Sequence, residues 1–153
     1  MRIWLYQGQM QRMRVMFLMA GMLLAAGLAA QAGDLKLEAT LVWGTTTGTN
    51  VTHQLLDEKR SKDLARIFKW QHYYEITNRT ATIPANQTNI VPMGAKCQLK
   101  VKNLGASRVE VVWTGSGKVV NTSVSTLPTV LAGPDKNDSA YFMILRSTDG
   151  KGK

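Results

Sequence analysis

Apolar and polar residues alternate with a period of two along much of the chain. Leu35, Leu37, Ala39, Leu41 and Trp43 alternate with Lys36, Glu38, Thr40 and Val42. Successive strand side chains point to opposite faces, so this pattern predicts a strand with one apolar face. The Gly- and Thr-rich residues 44–50 predict a loop, and residues 53–67 are the one helical candidate. Residues 68–76 are aromatic and β-prone; Phe68, Trp70, His72, Tyr74 and Ile76 should share the core-facing side, with Tyr73 and Glu75 outward. Asn78 then suggests a hairpin before residues 79–83.

The second half is more regular. Residues 96–102, 108–113, 118–125 and 140–145 read as strands. Turn residues punctuate them at Asn103-Leu104-Gly105, Gly115-Ser116-Gly117, Leu127-Pro128 and Gly133-Pro134-Asp135. Strands spaced about ten residues apart with such punctuation predict a mainly β fold. The expectation is an antiparallel β-sandwich, with a barrel as the alternative, and one short α-helix between the first strands.

The N-terminus follows another rule. Arg2, Arg12 and Arg14 precede an uncharged run from Val15 to Ala30, and Ala30-Gln31-Ala32 ends it. A basic region, an apolar region and a small-x-small site are the three parts of a secretory signal. Residues 1–32 are therefore expected to be a signal peptide, cleaved between Ala32 and Gly33, with Met13 as an alternative start. The sandwich domain would occupy residues 33–146 and a flexible tail residues 147–153. The protein would be exported to the periplasm or beyond the cell. An uncleaved membrane anchor is the alternative, although the 19 uncharged residues Val15–Gly33, rich in Ala, Gly and Met, are marginal against the roughly 20 strongly apolar ones a span needs.

Of 153 residues, 19 are basic and 10 acidic. The three arginines of the signal leave 16 − 10 = +6 on the rest of the chain. Net positive charge attracts anionic partners at long range. For an exported chain these would be an envelope polymer or lipid head groups, or another envelope protein; export argues against nucleic acid. The helical candidate offers a contact surface. At 100° per residue Lys59, Lys62, Arg66 and Lys69 fall within about an 80° sector, opposite Leu56, Leu64 and Ile67. Arg60 intrudes on the apolar side, and Asp57, Glu58 and Asp63 dilute the charge.

Catalytic signatures do not assemble. His53 and His72 are the two histidines, and on a strand His72 and Glu75 point to opposite faces. One cysteine, Cys97, precludes an internal disulfide. It alternates with Leu99 and Val101 and should face the core. Residues 135–146 begin like a calcium loop, but Ala140 and Arg146 stand where that loop needs Gly and Glu. Asn-x-Ser/Thr triplets occur at Asn50, Asn78, Asn86, Asn121 and Asn137; the Ala-rich signal is of bacterial type, and the triplets are then expected to mark only polar, turn-rich strands. No catalytic residue, metal site or cofactor is implied; whether a small molecule binds is left open.

The stretches Leu37–Thr45, Phe68-Lys69-Trp70, Val101–Gly105 and Asp138–Phe142 resemble small exported proteins of unassigned function from verrucomicrobial bacteria. The resemblance implies an exported bacterial domain and assigns no functional residue. The expected function is a non-catalytic binding or assembly module of the cell envelope. The alternatives are a secreted hydrolase acting on a cell-wall or carbohydrate substrate, its carboxylates supplied by distant strands, and an accessory subunit of a secretion or pilus system.

Overall fold

The computed structural model describes residues 33–48 and 52–149; the expected signal, including Ala32, lies outside them. The elements are β1 (Leu35–Thr45), β2 (Gln54–Leu55), α1 (Glu58–Ala65), β3 (His72–Ile83), β4 (Thr88–Gly94), β5 (Cys97–Gly105), β6 (Arg108–Gly115), β7 (Lys118–Thr126), β8 (Thr129–Lys136) and β9 (Ser139–Ser147). They form a five-stranded sheet of order β2-β3-β1-β9-β8 and a four-stranded sheet of order β4-β5-β6-β7. Every pairing is antiparallel. The expected β-sandwich is what forms, and the two sheets do not join into a closed barrel.

The alternating residues meet between the sheets. Leu35, Leu37, Ala39 and Leu41 of β1 pack with Leu99 and Val101 of β5, Val109, Val111 and Trp113 of β6, and Met143 and Leu145 of β9. A second apolar cluster lies on the other side of the five-stranded sheet, where Val42, Tyr73 and Phe142 pack against Leu56, Leu64 and Trp70. The helix and its flanks therefore cover β1, β3 and β9 from outside. A strand buried on both faces loses strict alternation, which explains the continuous apolar run Tyr141–Leu145 and the burial of Val42.

That second layer corrects the expectation for Tyr73 and Glu75. Tyr73 is buried at 1% exposure, and Glu75 meets Arg60 of α1. Phe68 and Trp70 are half-buried and buried, but in the connection after α1, since β3 starts at His72, and they pack on the helix side with Tyr73 while Ile76 packs between the sheets, so the expected shared face does not form. Amides of Ile67 and Phe68 bond the Leu64 carbonyl (3.0 and 2.8 Å) and end the helix there. Ile67 thus falls beyond α1 and is 69% exposed, against its expected place under the helix. The N-terminus of α1 is set by Asp57, whose carboxylate accepts from the Arg60 amide at 3.0 Å.

Three expected turns lie inside strands. Asn78 sits within β3, its amide donating to Glu38 (2.8 Å) and Thr40 (3.1 Å) on β1. The actual turn is at 84–87, closed by Gln87 N–H to the Pro84 carbonyl at 3.1 Å. Asn103 is buried in β5, and the β5–β6 turn falls at Ala106-Ser107, both at positive φ. Gly133-Pro134 lies in β8 at an irregularity, and the indole of Trp113 rests on Gly133, where a Cβ would come within 2.9 Å of the ring. The Ser116-Gly117 turn is where the sequence puts it, with φ of 50° and 75°. At the C-terminus, Thr148 N–H bonds the Lys36 carbonyl at 2.8 Å and Asp149 pairs with Lys36 at 3.1 Å. The first residues of the expected tail are thus tied to β1, and 150–153 lie outside the described residues.

Candidate functional site

Three of the four cations in the expected helical stripe are matched to carboxylates. Lys62 pairs with Glu58 at 2.6 Å, Arg66 with Asp63 at 3.4 Å, and Lys69 with Asp135 at 2.9 Å. Lys69 also lies 4.6 Å from the Trp70 ring centroid. Exposed pairs of this kind add little stability, but they cancel the field that would attract an anion. Lys59 has no ion pair among the described residues. Arg60, which intruded on the apolar side of the wheel, is half-buried and bridges Asp57 and Glu75.

The excess positive charge lies elsewhere. Residues 84–128, which build the four-stranded sheet, contain Lys96, Lys100, Lys102, Arg108 and Lys118 against Glu110 alone, a net of +4. The other described residues hold nine basic and nine acidic side chains and are neutral. Every ion pair among the described residues lies in that neutral part. On β5, Leu99 and Val101 face the core while Lys100 and Lys102 face solvent. Lys100 stands between Ile90 of β4 and Val112 of β6, and Lys102 between Thr88 and Glu110. Ile90, Val119 and Val124 are more than half exposed on the same sheet. The outer surface thus combines lysines with aliphatic side chains and presents no aromatic ring. A charge count taken strand by strand would have located it; the helical wheel could not.

A polar network occupies the helix side of the five-stranded sheet. Arg146 of β9 grips Glu38 with two bonds of 2.7 and 2.8 Å, and Asn78 supplies a third. Arg60 reaches Thr40 and Glu75. A cleft of about 890 Å³ opens beside it, lined by Asp57, Arg60, Asp63, Arg146 and Asp149 among others. The bond from Arg146, followed by that from Asn78, holds the Glu38 carboxyl below its ordinary range despite partial burial. Asp57 is lowered likewise, first by the Arg60 amide.

A carboxyl with a lowered folded pKa contributes stability above its unfolded pKa, and that contribution is lost as pH falls through the folded value. Arg146 is nearly half exposed, so solvent screens part of the effect. Glu38→Gln should therefore flatten the acid limb of the stability profile below pH 4.5. Urea midpoints of the variant and the parent, measured from pH 7 down to pH 3 (about the carboxylate titration range), check this. Parallel curves would remove Glu38 from the account.

The histidines are not convergent. His53 precedes β2, and His72 opens β3 with its imidazole against Gly48. His72 and Glu75 pair with Thr45 and Val42 of β1, on opposite faces of the sheet. No group of three His, Cys, Asp or Glu side chains placed to hold a metal ion occurs among the described residues, and none of their helices is long and apolar enough to cross a membrane. No family model, curated protein or solved structure matches the chain.

Proposed function

We propose that the chain is an exported, non-catalytic binding module of a bacterial cell envelope, and that it rests its four-stranded sheet on an anionic lipid surface. The observation that carries this reading is the segregation of charge. All net positive charge of the described residues lies on the four-stranded sheet and its turns, unpaired, while the helix side is neutral. Exposed Ile90 pairs with Lys100, and exposed Val119 and Val124 lie on the same sheet; such a mixture suits the boundary between head groups and acyl chains. A sugar polymer would favour aromatic stacking surfaces, which this sheet lacks. The N-terminal signal pattern supports export. The hydrolase alternative gains nothing from the helix-side network, because the Arg146 bond on Glu38 and the Arg60 amide on Asp57 lower both carboxyl pKa values, the opposite of the raised pKa that the proton donor of glycoside cleavage requires.

Both sheets and the core between them lie within the described residues, which start at Gly33, so the test uses the chain from Gly33. Co-sedimentation with phosphatidylglycerol vesicles should be strong at low salt and weak at high salt, since exposed charges are screened within about 8 Å at physiological ionic strength. A basic residue near an anionic surface contributes about 1 kcal/mol. Changing Lys100, Lys102, Arg108 and Lys118 together to Gln should reduce binding more than about tenfold. Changing Lys59, Lys62, Arg66 and Lys69 to Gln should have a much smaller effect. Equal binding by the parent and the sheet variant, or loss confined to the helix variant, would overturn the proposal.

A further inference from the structure

A second feature lies at the end of the sandwich where the β4–β5 and β6–β7 turns approach the β8–β9 end of the other sheet. There the sheets part to leave an open cleft of about 450 Å³. Its floor and walls come from both sheets: Leu41 and Ile76 from one, Met93, Cys97, Trp113 and Val120 from the other. These groups are aliphatic, thioether, thiol and indole, and the Tyr141 phenol and Ser116 hydroxyl are the two neutral hydroxyl groups that line the cleft with them. The indole N–H of Trp113 is already committed to the Cys97 sulfur at 3.3 Å. A ligand rich in hydroxyls would lose its hydrogen bonds to water in this cleft and regain few.

The rim has the opposite character. Lys96, in the β4–β5 turn, and Lys136, at the end of β8, line the cleft from opposite sheets. Neither forms an ion pair among the described residues. The nearby carboxylate of Asp135 is bonded to Lys69, so it does not neutralise Lys136. Lys118, in the adjoining β6–β7 hairpin, adds a third cation to the same end. An apolar cleft of a few hundred Å³ with a few convergent polar groups is the usual form of a small-molecule site.

We infer that this cleft takes the tail of a single-chain anionic amphiphile, with Lys96 and Lys136 holding its head group at the rim. The aliphatic lining favours a flexible acyl chain, and the two ammonium groups on opposite walls favour a carboxylate or phosphate head. The inference goes beyond the proposed lipid-surface contact; its test changes Lys96 and Lys136, neither of which is altered in the vesicle test. The two can therefore fail separately.

Cys97 is the chain's one cysteine and lines the cleft, so its alkylation reports occupancy. The full chain would be treated with N-ethylmaleimide, with and without dodecanoate below its micelle concentration, and modification followed by intact mass. With dodecanoate at about ten times its dissociation constant, alkylation should slow about tenfold, because only the unoccupied fraction reacts. In the double variant Lys96→Glu, Lys136→Glu, protection should require about tenfold more dodecanoate. Protection by uncharged dodecanol should be the same in both proteins. Both lysines are exposed, so the variant keeps the fold, and comparing each protein with and without amphiphile removes any direct effect of charge on the thiol. Absence of protection by either amphiphile overturns the acyl cleft. Equal dodecanoate protection in parent and variant overturns the role of the lysines.

Discussion

Trp113→Ala is expected to cost about 3–5 kcal/mol, the range for deleting a fully buried large aromatic ring. Trp113 is 3% exposed on β6 of the four-stranded sheet, yet its ring crosses the sandwich to rest on Gly133 of β8 in the other sheet. Truncation removes that cross-sheet contact, opens a cavity, and strips Cys97 of its indole donor. A domain of this kind has a total stability of about 5–15 kcal/mol, so the loss is a large fraction of the whole. At about 4 °C per kcal/mol for a domain near 100 residues, the melting temperature should fall by about 12–20 °C. Trp43→Ala should cost clearly less, because Trp43 is only half-buried and packs mainly on Tyr74, at 5.7 Å between centroids. A melt insensitive to Trp113→Ala, or more sensitive to Trp43→Ala, would displace Trp113 as the bridge between the sheets.

The sandwich could be read from residue order because period-two alternation is a direct consequence of one buried face. It held for Leu35–Leu41 on β1 and for Leu99, Val101, Val109 and Val111 in the second sheet. It failed where a second layer covers the opposite face. Nothing local in Tyr73 or Val42 announces that Leu56, Leu64 and Trp70 will cover them. Turn chemistry was misread for a related reason. Asn and Gly favour turns when their backbone lacks better partners, but Asn78 finds Glu38 and Thr40 on the adjacent strand, and Gly133 is needed where the Trp113 ring approaches. In each case a long-range contact outweighed a local preference.

The candidate surface was half legible. Net positive charge implied an anionic partner, and that inference underlies both proposals. Its location depended on pairing, which sequence spacing shows only within a helix. Glu58 and Lys62 are an i,i+4 pair that spacing alone could have flagged. The partner of Lys69 is Asp135, 66 residues away, and the partners of Arg60 lie on both α1's own cap and β3. Lys96 and Lys136 come together at one cleft only because the two sheets end there side by side.

Asn103 shows how much a misread turn residue can carry. It is 2% exposed in β5. Its side-chain amide donates to the carbonyls of Ile83 (3.0 Å) and Gly33 (3.1 Å), and its oxygen accepts from Gly105 N–H at 2.9 Å. Its own backbone N–H bonds the Gln87 carbonyl at 2.9 Å. One residue thus joins the start of the described chain, the end of β3, the β3–β4 turn and the approach to the β5–β6 turn. Asn103→Ala leaves the Ile83 carbonyl and the Gly105 amide without these partners, at about 1–3 kcal/mol for each buried group stranded. Asn103→Asp separates the roles of the two amide atoms. A carboxylate still accepts from Gly105 but turns a negative oxygen toward two carbonyls, which favours its protonated form and raises its folded pKa. A group with a raised folded pKa destabilises least at low pH, where the proton is present in both states, and most once pH exceeds both values. The deficit of Asn103→Asp relative to the parent, taken from urea midpoints at matched pH, should therefore shrink as pH falls from 7 to about 4, whereas the deficit of Asn103→Ala should stay constant. A deficit for Asp that is independent of pH, or smaller than that of Ala at neutral pH, would show that the amide does not hold those two carbonyls.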